Sequence, residues 1–370
     1  MAAGTYIKAL VLLVVSLMIF GFASSTMVHN QIWDGVKIVL GEFGVDGDDG
    51  DGGGSTFYEY PSSVSYNLTQ TMTVQPTGTV DSFYYRTPEP ITTWEETIVQ
   101  QMHEWGMLDN SGFIDATPVP GWMNVSYNAS FDTDLTFGLY FNFTSHFAIW
   151  NLTPDMSGTL SDIPQWYNDT YVKDQEWLIN GQQVGINTSQ STPAVSGAFA
   201  TPDDNVLRIL HNAYMWVVNN IDYYTVPGGP LNNVSTTIQE MRGDCDDMST
   251  LLISMVRSMG VPAWLEQGIL YNNNTDSWEH HAWVQAYVPL TNGSHVNITI
   301  DPTNQQFALF TPNKIIVYTD LTGDGEKMGE YYNFMGFNLS SGSVSVQVNL
   351  DKTYYSSNGT VQVAANHSTW

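Results

Sequence analysis

Met241-Arg-Gly-Asp-Cys245-Asp-Asp-Met-Ser-Thr250-Leu-Leu-Ile-Ser-Met255-Val-Arg-Ser-Met-Gly260-Val-Pro-Ala263 is the stretch from which the fold is best read. Met248, Leu251, Leu252, Met255 and Met259 recur at helical spacing and mark one buried face. Gly260 and Pro262 end that helix. Asp244 stands where an N-cap belongs, which puts Cys245 at the first helical position. A thiol there meets free backbone N–H groups and the positive end of the helix dipole, both of which favour thiolate. The same N–H groups can steady an oxyanion. Asp244, Asp246 and Asp247 act against this, since nearby negative charge raises a thiol pKa. A nucleophilic Cys245 therefore needs a close cation, and imidazolium is the natural one.

Downstream, Glu279-His-His-Ala-Trp-Val-Gln-Ala-Tyr-Val288 alternates as a strand, with His281, Trp283, Gln285 and Tyr287 on one face. Pro289-Leu-Thr-Asn-Gly-Ser294 reads as a hairpin loop. In the returning strand, His295-Val-Asn-Ile-Thr-Ile-Asp301, the residues Val296, Ile298 and Ile300 share a face and leave Asp301 on the other. Folding the hairpin about its loop brings His281 and Asp301 within side-chain reach. A carboxylate beside an imidazole fixes its tautomer and favours its charged form.

Gly243-Asp-Cys245 opening an apolar helix, Met259-Gly-Val-Pro-Ala263 closing it, His281-Ala-Trp283 and Asp301-Pro-Thr303 together resemble the transglutaminase-like superfamily. The resemblance covers roughly residues 200–310. It implies a papain-like core with Cys245 as nucleophile, His281 as base and Asp301 as its orienting partner. The preceding helix, with Trp216 and Tyr223-Tyr224 near its end, is similar to the family's helix before the cysteine. Trp264 stands where the family commonly carries arginine.

Outside that core the chain reads as β-rich. Residues 56–199 carry Thr, Val, Tyr and Phe with frequent Gly, Pro and Asn, and Phe131–Phe143 alternates as a half-buried strand. Within this region Thr92–Met107 reads as a helix, with Ile98, Met102 and Trp105 on one side. Thr201-Pro-Asp-Asp signals a helix start, followed by Val206, Ile209, Leu210, Ala213, Val217 and Ile221 at helical spacing. Strands return in Ser343–Val348 and Gly359–Val363. The expected architecture is α+β: a papain-like transglutaminase core at 200–318, preceded by an antiparallel β-sandwich-like domain at 56–199 and followed by a short β segment at 319–370.

The apolar run at 9–23 follows a single basic residue, Lys8. Fifteen helical residues span about 22 Å, short for a bilayer core of about 30 Å. Residues 1–25 read as a cleaved export signal, with Ala23-Ser24-Ser25 suited to cleavage, or as a retained single membrane anchor. Either places the remainder outside the cytoplasm. Fourteen Asn-x-Ser/Thr sequons agree with a glycosylated, secreted or membrane-held protein, against about five by chance. Residues 26–55 contain the acidic tract Asp46–Gly54 and read as a solvated tether.

Of 370 residues, 37 are Asp or Glu and only 10 are Lys or Arg, giving a net charge of −27. Such a chain repels phosphate backbones and excludes nucleic acid as a partner. One cysteine excludes an intrachain disulfide and a multi-thiolate metal site. His280 and His281 point to opposite faces of their strand, which disfavours zinc. Asp320–Glu326 resembles the front of a calcium loop, but Tyr331 stands at its twelfth position, so it reads as a surface turn. No cofactor is implied. The reading is an acidic extracytoplasmic thiol enzyme that takes a protein or peptide substrate. It acts on amide bonds through a thioester, by hydrolysis or acyl transfer. The alternative is a cell-surface adhesion protein whose papain-like domain has lost its chemistry.

Overall fold

The structure, a computed structural model, describes residues 57–364 apart from 89–91, 93–98, 109–113, 120–121, 128, 180–181, 200–203, 226–230, 273–276 and 320–333. The apolar run, the acidic glycine tract and the calcium-like turn lie outside the described residues. Among the described residues no helix is long and apolar enough to cross a membrane.

The first half builds two four-stranded antiparallel sheets. Strands β1 (Phe57–Pro76), β2 (Val80–Pro88), β3 (Gln100–Met107), β4 (Ile114–Val119), β5 (Trp122–Tyr127) and β6 (Leu135–His146) form most of them. Their inward residues, among them Met72, Val74, Phe83, Tyr85, Val125, Leu139 and Phe141, share one apolar core. Burying that two-faced layer is what an alternating pattern requires. The segment expected as a helix at Thr92–Met107 is corrected from Gln100 onward, where it is β3, paired with β6. A bulge between Met102 and Glu104 places Met102 opposite Phe143 and Trp105 opposite Phe141. The extra residue lets side chains three apart share a strand face, which imitates helical spacing.

The second half begins with the short strand β7 (Ala148–Ile149), the helix α1 (Gln165–Tyr171), a hairpin of β8 (Gln175–Ile179) and β9 (Gln182–Ile186), and α2 (Thr192–Ala198). Helix α3 (Val206–Asn220) is capped by Asn205, whose side chain accepts from Arg208 N–H. The start expected at Thr201 lies outside the described residues. Asp204 C=O takes the N–H of Leu160, and Val206 N–H donates to Gly158 C=O, so pairing with the chain at 158–160 holds the residues on either side of the cap.

After β10 (Asp222–Tyr223), α4 (Val234–Glu240) and β11 (Arg242–Gly243) comes the central helix α5 (Cys245–Ser258). Every residue from Asp247 to Arg257 is buried, not one face alone. The polar positions are small and satisfied within the fold: Ser249 Oγ donates to Ala282 C=O, and Ser254 Oγ to Thr250 C=O. Helix α5 packs on the sheet formed by β12 (Ala263–Asn272), β13 (Ser277–Pro289), β14 (His295–Asp301), β15 (Gln306–Phe307) and, after the two-residue β16 (Leu309–Phe310), β17 (Lys314–Thr319). Their order is β15-β14-β13-β12-β17, antiparallel throughout.

The sandwich lies against the far side of this sheet, with Ile269, Trp278, Ile315 and Val317 in its own core. Polar clamps fasten the joint. Gln100 donates to Ile316 C=O and accepts from Ile316 N–H, both at 2.8 Å, and Ser145 Oγ donates to Lys314 C=O. The last strands, β18 (Phe334–Leu339) and β19 (Val344–Ala364), pair with β2 and β1 and complete the two amino-terminal sheets.

Candidate active site

Local geometry fixes the head of α5. Strands β10 and β11 run parallel, with Tyr223 beside Gly243. A side chain at Gly243 would collide with Asp247. Asp244 then caps the helix, accepting from Asp247 N–H, and Asp247 Oδ2 accepts from Asp244 N–H in return. That capping box aims Cys245 out of the first turn.

Cys245 keeps partial surface exposure while protein packs closely around its sulfur. The β13–β14 ladder stops at Val284, and beyond that point the sulfur takes the backbone N–H of Ala282. Burial pushes the thiol well above its usual range, and the charges of Asp244 and Asp246 push it further; the Ala282 N–H works the other way. Part of that acidity is muted. Burial, a hydrogen bond to Asp244 and neighbouring charge raise Asp246 well above the usual carboxylate range. Burial and Asp244 raise Asp247 to about 6, against hydrogen bonds from Asn232. The three carboxylates lie within 4.8 Å of one another and are the described set that could hold a cation. The bonds from Asn232 and the capping box already use the oxygens of Asp247.

His281, one residue before Ala282, has its Nε2 2.8 Å from Asp301 Oδ2, and both side chains are buried. The ladder places Trp283 next in register to Asp301, so the imidazole reaches diagonally across the strand pair. Asn304 braces both. Its backbone N–H donates to Asp301 Oδ1, and its Nδ2 lies 2.8 Å from Asp301 Oδ2 and 2.9 Å from His281 Nε2. Lys314 Nζ sits 2.6 Å from the same Asp301 Oδ2. Burial alone would raise the Asp301 pKa. The charges of His281 and Lys314, with hydrogen bonds from His281 and Asn304, overcome that and hold it far below the usual range. Burial, then Cys245, Asp244 and Glu279, push the Tyr223 phenol up, leaving it a neutral O–H donor within electrostatic reach of the sulfur.

The structure thus gathers Cys245, His281 and Asp301 at one end of α5 and its sheet. Sequence reading missed Asn304 and Lys314. Asn304 follows Asp301 by three residues, a spacing at which a side chain can brace its neighbour's carboxylate. Lys314 heads Lys-Ile-Ile-Val317, and a lysine opening so apolar a strand is rarely buried without a partner.

A buried helix carrying a thiol at its head is thus laid on an antiparallel sheet that supplies an imidazole and a carboxylate, within an α+β fold. Residues 194–299 match the model of the transglutaminase-like superfamily. Among solved structures, one from Cytophaga hutchinsonii, provisionally described as a cysteine protease, is similar with a TM-score of 0.53 at 13% identity. That similarity covers 82% of this chain and 94% of the other. The periplasmic domain of TgpA from Pseudomonas aeruginosa gives a TM-score of 0.28 at 16% identity, covering 63% and 75%. No curated protein matches the chain.

Proposed function

We propose that this protein is an extracytoplasmic thiol enzyme acting on amide bonds of peptides or glutamine side chains. The observation that carries the reading is the row made by the Cys245 sulfur on Ala282 N–H, the adjacent His281, and Asp301 at 2.8 Å from its ring. Asp301 holds Nε2, which leaves Nδ1 for the thiol proton. The thiolate attacks the amide carbonyl, and His281 gives its proton to the departing amine as the C–N bond breaks. The product is a thioester on Cys245. Helix N–H groups at the head of α5 stabilise the oxyanion. Water, or an incoming amine, then opens the thioester with His281 as base, giving acid or transferred amide. The apolar run at 9–23 behind Lys8 and the fourteen sequons support the location.

The test is incubation of the purified protein with a peptide library, with and without a primary amine, followed by mass analysis. New termini or amine adducts that vanish in Cys245→Ser support an enzyme. Unchanged peptides under all conditions favour the adhesion reading. His281→Ala is expected to remove turnover while the protein still unfolds cooperatively near the parent temperature. Asp301 then keeps Lys314 and Asn304 as partners, so no buried charge is stranded. A large fall in melting temperature would make the histidine structural.

A pH signature follows as well. Without the imidazole only the Ala282 N–H opposes burial and the nearby acids, so Cys245 in His281→Ala should alkylate only above the ordinary thiol range. Iodoacetamide rates against pH, compared with the parent, check this. Equal profiles would separate His281 from the thiol.

A further inference from the structure

Lys314 lies outside the stretch matched by the superfamily, yet it makes the shortest contact to Asp301. Its side chain is wholly shielded from solvent, as is that of Asp301. Its Nζ has two oxygen neighbours, Asp301 Oδ2 and Gln306 Oε1, each at 2.6 Å, and rests over the Trp283 ring at 5.5 Å. Resting on the reading of Cys245, His281 and Asp301 as the reacting row, we propose that Lys314 is a positioning residue for it. It is a permanent buried cation that keeps Asp301 charged and shares with His281 the oxygen that orients the imidazole.

The argument starts from the cost of burial. A carboxylate without solvent takes up a proton unless a cation or several donors compensate it. His281 compensates Asp301 only while the imidazole is charged, and the proposed reaction removes that charge each time a proton goes to the departing amine. Lys314 carries its charge through the whole cycle, so Asp301 remains an anion and an acceptor at every step. Sharing Oδ2 also divides the field of the carboxylate between two cations. The imidazolium is then held less firmly than beside an unshared carboxylate, which eases proton delivery.

The sandwich takes part in this placement. Ser145 of β6 binds the Lys314 carbonyl, and Gln100 of β3 clamps Ile316 on the same strand. Among the described residues, the titratable groups around this site include Cys245 and Asp246 on α5, its cap Asp244, Tyr223 on β10, Glu279 on β13, and Glu266 on β12, which holds the Trp283 indole N–H.

The experiment uses the full chain as parent, Lys314→Gln, Lys314→Arg and Gln306→Glu. It follows the NMR titration of the His281 ring and, where turnover is measured, the alkaline limb of kcat/KM. Removing the cation in Lys314→Gln is expected to raise the His281 midpoint by about one pH unit, a tenfold change in proton affinity. Lys314→Arg should restore the parent midpoint. If Lys314→Gln does not fold, Gln306→Glu serves in its place. A carboxylate beside Nζ offsets the same charge without emptying the site, and should move the midpoint in the same direction by less. An unmoved midpoint in a folded Lys314→Gln, or in Gln306→Glu, overturns the proposal. The ring titration does not require a substrate, so absence of turnover would count against the enzyme reading and leave this result legible.

Discussion

Cys245→Ala is expected to lose all amide-bond turnover, by roughly 10⁴-fold or more, the scale seen when an activated nucleophile is removed. Its folding stability should stay within about 1 kcal/mol of the parent, since only one sulfur atom is removed from a residue that is itself only partly buried. Burial and two aspartates already hold the thiol neutral when it stands alone, so deleting it strands no charge. The capping box of Asp244 and Asp247 is independent of the sulfur and continues to start the helix. Parallel measurements of turnover and thermal unfolding check both halves. Residual turnover above a hundredth of the parent would show that another group carries the reaction.

The second large effect is on the fold. Gly268 on β12 lies opposite His281, and a Cβ there would run into the carbonyl oxygen of Ile315 on β17. The obstacle is backbone held in a sheet, so neither side can yield cheaply. Gly268→Val is expected to destabilise the protein on the order of 3 kcal/mol or more and to separate β17 from β12. Because β17 begins with Lys314, the row at Asp301 should loosen along with it. Chemical unfolding of Gly268→Val against the parent measures the first effect. A midpoint shifted by less than the error of the assay would mean that the β12–β17 ladder bends freely at the bulge between Gln267 and Gly268.

Much of this site could be read before any coordinates because its signals are local. Asp244 before an apolar run marks a helix start, and the loop between Val288 and His295 sets a register that brings His281 to Asp301. The reading of α5 as amphipathic went only part of the way, since Ser249, Thr250 and Ser254 hide their hydroxyls on carbonyls and enter the core. Lys314 escaped notice for another reason. Its partner lies thirteen residues away across a return of the chain, and spacing rules describe neighbours on a single element. The β3 segment shows the opposite failure, a strand whose bulge copies the period of a helix. Asn205 caps its helix where tertiary pairing sets the place, with Asp204 and Val206 bonded to Leu160 and Gly158.

The long ladder between β1 and β19 ties the earliest described strand to the latest along most of its length. A ribosome must therefore release nearly everything before that seam can close, whereas the helix and sheet around Cys245 are contiguous in sequence and can condense first. The outer layer would then set last, around a reactive centre already shaped. A chain cut short after residue 340 would leave a bare β-edge, prone to recruiting a stranger.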